Sequence, residues 1–162
     1  MSQPSKHVPG RIKFLVCVDG RPHSRVAVRF ACHRAKNTGG RVALLHVLAP
    51  AEFQHWQAVG DLMQDERREE AERLLQDLAA EVNASAGVMP ELFVRSGGIG
   101  EEILALIEED PTIDVVVVGA APASEGRGWL VSWLAGQLAG RLRIPLTVVP
   151  GNLTDEQIID LT

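Results

Sequence analysis

No run of basic residues occurs anywhere in the 162 residues, and the net charge is -5 at pH 7. Binding nucleic acid by neutralising phosphates needs a basic stripe, so that class of partner is excluded. Long apolar stretches are missing too. None approaches the roughly 20 residues of a membrane-spanning helix, and Met1 to Gly10 lacks the apolar centre of a signal peptide. A cytoplasmic protein with no membrane contact is the expectation. Cysteine is scarce: Cys17 and Cys32 are the only two, and they form neither a CxxC nor a zinc spacing. They read as buried reduced thiols. The five histidines show no paired metal spacing. There is no GxGxxG, no GxxxxGK[ST] and no nucleophile elbow.

What is present is a steady alternation of strands and helices. Ile12 to Val18 (IKFLVCV), Arg41 to Leu48 (RVALLHVL), Glu91 to Arg95 (ELFVR), Asp114 to Gly119 (DVVVVG) and Leu146 to Pro150 read as five strands. Val115 to Val118 has no polar alternation, the mark of a strand covered on both faces. Between the strands lie helical patterns. The first places Val26, Ala27, Phe30 and Ala31 on one face, with Ser24 as N-cap and Asn37 to Gly40 as its end. The second runs from about Trp56 to Ala84, and its charged run Asp65 to Glu70 reads as a solvated bend or face. Phe53 and Trp56 before it read as a staple. The third spans Gly100 to Glu109, and the fourth carries Trp129 and Trp133, four apart. Thr154-Asp155-Glu156-Gln157 forms a capping box before a short helix in the tail 151–162. This pattern predicts one α/β domain over residues 11–150, an open parallel sheet with helices on both faces, after a loose tail of residues 1–10. A chain of this size buries about 70% of its unfolded surface and needs no metal or disulfide to fold.

In such sheets ligands settle beyond the carboxyl ends of the strands. Two turns stand there. Asp19-Gly20 follows the first strand, where the carboxylate either accepts hydrogen bonds from a ligand or shapes the turn into the helix. Gly119, Gly126, Gly128 and Gly136 follow the fourth, where glycine lets backbone N–H groups approach an anion or simply makes turns. His46, at an interior strand position, reads as a core histidine with a satisfied ring.

The segment VCVDG with Ser24 and Ala27, the LLHV of the second strand, and DVVVVG, LAGQLAGRL and IPLTVV at the end resemble the universal stress protein family. The resemblance covers about Ile12 to Pro150. It implies an adenine-nucleotide alpha-hydrolase-like fold with strand order 3-2-1-4-5, so that Asp19 and Gly119 meet at one crevice. It further implies a nucleotide site formed by Cys17, Asp19, Val47, Gly119, Gly126, Gly136 and Gln137. ATP or AMP is the implied ligand, with Mg accompanying a triphosphate. No catalytic residue is implied; at most slow ATP hydrolysis follows. Nucleotide binders in that family carry G-x2-G-x9-G-[S/T]. Here Gly126 and Gly136 keep the nine-residue gap, but six residues separate Gly119 from Gly126, and Gln137 replaces the hydroxyl residue. The longer loop also brings Glu125 toward the phosphates, where like charge repels. A lost hydroxyl removes a hydrogen bond to a charged acceptor, typically about 1.5–3 kcal/mol. The adenosine half of the pocket is kept and the phosphate half altered.

The resemblance implies a homodimer as well, formed by pairing the last strands along Leu146 to Val149. A dimeric interaction module with no nucleotide, serving an unknown protein partner, is the competing reading. A receiver domain is disfavoured because Arg95-Ser96-Gly97 stands where its aspartate is needed. A flavodoxin is disfavoured because Asp19-Gly20-Arg21-Pro22 replaces its hydroxyl-rich loop.

Overall fold

The computed structural model describes residues 11–49, 57–121, 134–138 and 140–162. The residues 1–10, the Phe53 and Trp56 staple, Gly126, Gly128, Trp129 and Trp133 lie outside them, as does most of the expected fourth helix. Five strands, β1 (Lys13–Cys17), β2 (Arg41–Leu48), β3 (Glu91–Ser96), β4 (Val115–Ala120) and β5 (Leu146–Pro150), form one sheet in the order β3-β2-β1-β4-β5. Every pairing is parallel. The chain leaves β1 toward β2 and β3 on one side, then returns to β4 and β5 on the other. The point where the winding reverses lies between β1 and β4.

Side chains alternate along a strand, so each strand feeds two cores. Phe14 and Val16 of β1, Val18 just after it, Leu44 of β2 and Val117 of β4 point to one face. Helix α1 (Pro22–Thr38) covers that face with Val26, Ala27, Ala31 and Ala35, and α2 (Gln57–Ala86) with Leu75, Leu78 and Val82. Leu15, Cys17, Leu45, Val116 and Val118 point the other way, onto Ile103, Leu106 and Ile107 of α3 (Ile99–Glu109). Leu138, in a short π-helical turn Leu134–Leu138, joins this second core. After β5, helix α4 (Asp155–Leu161) starts on the expected capping box, with Thr154 accepting from Gln157 N–H. It buries Ile158 in the same core as α1.

Two expectations need correction. Ser24 does not cap α1. Pro22 has no N–H to leave unsatisfied and suits the first helical position, so the helix begins there with Arg21 as its N-cap. Ser24 Oγ instead accepts from Asp19 N–H at 3.4 Å and donates to the Arg21 carbonyl at 3.1 Å. Second, the charged run Asp65 to Glu70 is no bend; α2 continues through it as one helix of 30 residues. Its Asp65, Glu66, Glu69 and Glu70 side chains are exposed while Ala71, Leu75 and Leu78 are buried. Of the two readings the solvated face holds.

At the amino end of the sheet Lys13 is buried, and its Nζ meets carboxylates of Asp110 and Glu91 and the Thr112 hydroxyl. A buried ammonium requires such partners. Burial pushes the Asp110 carboxyl up, but hydrogen bonds from Lys13 and Thr112 outweigh that and hold it below the ordinary value of 3.8. A carboxyl depressed in the fold stabilises the protein above its unfolded value and loses that contribution as pH falls through the folded one. Urea unfolding should therefore show stability declining as pH drops below about 3.8, with Asp110→Asn removing part of that slope. An unchanged slope in the variant would mean the ion pair carries no acid sensitivity.

Candidate functional site

The carboxyl end of β1 is fixed from three sides before the chain turns. Val18 N–H donates to the Leu45 carbonyl at 2.9 Å, continuing the β1–β2 ladder. The Val18 carbonyl accepts from His46 Nδ1 at 2.7 Å, which makes His46 the satisfied histidine expected of its position. Asp19 N–H is taken by Ser24. Gly20 then turns the backbone at φ +82, in the left-handed region that glycine enters without strain. The Asp19 carboxylate comes out at this bend with its side chain 42% exposed. Its Oδ1 accepts from Arg21 N–H at 2.9 Å, and its Oδ2 lies 3.6 Å from His23 Nε2.

Of the two readings of the sequence, the turn is the one seen: Asp19 shapes it through one oxygen, while its side chain stays partly open to solvent. Cys17 lies two residues before it, packed into the α3-side core, and Val47 of β2 is half-buried against that same core. Leu45 pairs with Cys17 across the β1–β2 ladder, so Val47 stands one repeat further toward Asp19. Together they present an apolar wall below an acidic rim. Burial, with Asp19 adding to it, pushes the Cys17 thiol up to about 12, away from the thiolate form.

Gly136 and Gln137 are exposed, and the buried Leu138 anchors their turn on the face that Cys17 and Val47 share. Among the described residues, a side chain added at Gly136 would meet nothing within 4 Å. Gly119 differs. It stands at the same end of the sheet, on the strand beside β1, but a Cβ there would lie 2.1 Å from the His23 carbonyl oxygen. Helix α1 fills its side-chain position, so any contact it offers a ligand comes from its backbone. Gly126, the middle member of the glycine series, lies outside the described residues.

Cys17 and Val47 thus share one face near the carboxyl ends of β1 and β2, and Asp19 follows at the turn into α1. The Gly136-Gln137 turn is tied to that face through Leu138, and α1 fills the side-chain position of Gly119 on the other. Sequence reasoning overlooked His23. The only signal was its place four residues after Asp19, and nothing in the sequence said that its ring would be buried there. Among the described residues, no three His, Cys, Asp or Glu side chains come together to hold a metal ion. No described helix is long and apolar enough to cross a membrane.

A family model described as "Universal stress protein family" matches residues 11–150. No curated protein matches the chain significantly. Among solved structures, universal stress protein UspA from Lactobacillus plantarum superposes with a TM-score of 0.73 at 17% identity, covering 85% of this chain and 97% of that one. A universal stress protein in complex with cAMP gives 0.64 at 19% identity, over 88% of this chain and 98% of that one. A universal stress protein family protein from Arabidopsis thaliana with AMP bound gives 0.62 at 16% identity, over 90% and 94%. At these identities the likenesses speak for the fold.

Proposed function

Because the chain belongs to the universal stress protein family, we propose that it binds an adenine mononucleotide of the AMP class at the carboxyl end of β1. The observation that carries this reading is Asp19, a carboxylate exposed at the winding reversal above an apolar wall. A ribose is rich in hydroxyl donors, and a carboxylate with unused lone pairs accepts them strongly. Val47 and the β-carbon side of Cys17 suit the flat apolar faces of adenine. The Gly136-Gln137 turn offers backbone N–H groups and an amide to a phosphate, with no described side chain crowding Gly136. Two structural relatives, one with cAMP and one with AMP bound, support the ligand class.

The spacing of the glycine series argues for few phosphates. Six residues stand between Gly119 and Gly126, and Gln137 has no hydroxyl to give a terminal phosphate. ATP, with its Mg, is accordingly the weaker ligand. Isothermal titration distinguishes them: AMP gives saturable heat and ATP a weaker response. Absence of heat and of any melting shift at millimolar AMP overturns the reading.

A second reading, compatible with the first, concerns assembly. β5 is an edge strand, and among the described residues it pairs with β4 alone. Val148 on it is 40% exposed, and an apolar edge with open N–H and C=O groups is a template for another strand. A homodimer paired along Leu146 to Val149 follows. Light scattering should return twice the monomer mass, and Val148→Lys should shift it toward the monomer. A wild-type protein of monomer mass contradicts the pairing.

A further inference from the structure

His23 is a buried imidazole with one ring nitrogen facing Asp19 and the other without a partner among the described residues. The residue is 8% exposed. Its Nε2 lies 3.6 Å from Asp19 Oδ2, and its Nδ1 has no hydrogen-bond partner among the described residues. Its position is tightly held. A Cβ at Gly151 would lie 2.5 Å from His23 Cβ, and one at Gly119 would lie 2.1 Å from His23 O. Glycines at the ends of β4 and β5 thus form the seat into which the first turn of α1 drops.

The geometry points to His23 as the residue that positions Asp19 for the ligand, with Nε2 donating toward the carboxylate and Nδ1 carrying no proton. The inference rests on the nucleotide reading above. A neutral imidazole has one N–H to place. On Nε2 it faces a carboxylate. On Nδ1 it would be a buried donor with no acceptor among the described residues, the more costly kind of orphan. The one other charged group near that carboxylate oxygen among the described residues is Arg21, with Nε 4.0 Å away on a side chain 73% exposed. Asp19 is itself open to solvent and would otherwise sample several rotamers. Arg21 N–H bonds to Oδ1, and His23 Nε2, 3.6 Å from Oδ2, flanks the other side just beyond hydrogen-bond distance, leaving the remaining lone pairs for ligand hydroxyls. Pre-orientation of this kind strengthens binding by removing the cost of ordering the side chain.

Two measurements test this. The first is the imidazole nitrogen NMR spectrum of the ligand-free, nitrogen-15-labelled full chain. It should show the Nε2–H tautomer for His23, and an Nδ1–H tautomer would overturn the inference. The second is AMP titration of His23→Leu, His23→Gln, Asp19→Asn and the double variant Asp19→Asn with His23→Leu. His23→Leu should weaken AMP about tenfold, the loss of one charge-assisted contact. His23→Gln, which keeps a donor near Nε2, should stay within about threefold of wild type. A residue acting through Asp19 has nothing left to do once that carboxylate is gone, so the double variant should bind no worse than Asp19→Asn. Additive losses, or equal losses for Leu and Gln, would overturn the positioning role. If wild-type protein gives no heat with AMP, the nucleotide reading fails. The tautomer spectrum, recorded without ligand, then decides the contact between His23 and Asp19 independently.

Discussion

Gly119→Ala is expected to lower the melting temperature by about 10 °C. A Cβ at this position would lie 2.1 Å from the His23 carbonyl oxygen, 2.7 Å from its carbon and 3.2 Å from Ser24 N. All three are backbone atoms of the first turn of α1, so no side chain can rotate aside. Relief requires moving the helix away from the sheet. That helix also carries Val26, Ala27 and Ala31 into the core, so the displacement loosens contacts well beyond the turn. Overpacking of this kind typically costs about 1–3 kcal/mol, and a backbone obstacle belongs at the upper end. For a chain of this length about 3 kcal/mol corresponds to roughly 6–12 °C. Gly136→Ala is the matched control. No described residue lies within 4 Å of a Cβ there, so its melting temperature should stay close to wild type. Thermal unfolding by circular dichroism checks both. A Gly119→Ala protein melting within about 2 °C of wild type would contradict the close approach of α1 to β4.

Asp19→Asn should weaken AMP binding about ten- to a hundredfold, with little change in melting temperature. The substitution keeps shape and one acceptor oxygen, so Arg21 N–H retains its partner at the turn. What it removes is charge. Hydrogen bonds to an ionised group are worth about 1.5–3 kcal/mol, and each 1.4 kcal/mol is a factor of ten in affinity. The carboxylate is 42% exposed in the ligand-free protein, so solvation tempers its value there. A ligand covering it would remove that screening. Calorimetric titration of the variant checks the prediction. Wild-type affinity in Asp19→Asn would mean that the ribose hydroxyls, if bound at all, find their acceptor elsewhere.

Much of this architecture is written in short-range patterns. The unbroken Val115 to Val118 run read as a strand of the kind usually covered on both faces, and both faces are indeed covered. Thr154 and Gln157 sat at the spacing of a capping box and form one. The strand order itself came from a likeness of motifs, since periodicity says nothing about which strands are neighbours. Where reading failed, the cause was a choice between two plausible local options. Ser24 is a good cap residue, but Pro22 also suits a first helical turn, and the helix took the earlier start. The charge run in α2 fitted a bend as well as a face, because a bend and a solvated face share the same composition.

The site was legible only as a set of residue types at strand ends. Asp19 could be named from its place at the end of its strand; Cys17 and Val47 were named from the likeness to the family. The role of Gly119 as a seat for α1 could not, because a contact between residues so far apart in the chain leaves no mark in one sequence. His23 escaped for the same reason: its burial depends on Gly119 and Gly151 having no side chains, a fact about packing.

The most direct test of the account is nitrogen–proton NMR of the labelled chain during addition of AMP. Backbone signals of Asp19, Val47, Gly136 and Gln137 should move together along one saturating curve, while those around Lys13 and Asp110, at the far end of the sheet, stay in place. Signals that stay put at Asp19 and Val47, or that move only at the far end, would contradict a nucleotide site at the carboxyl end of β1.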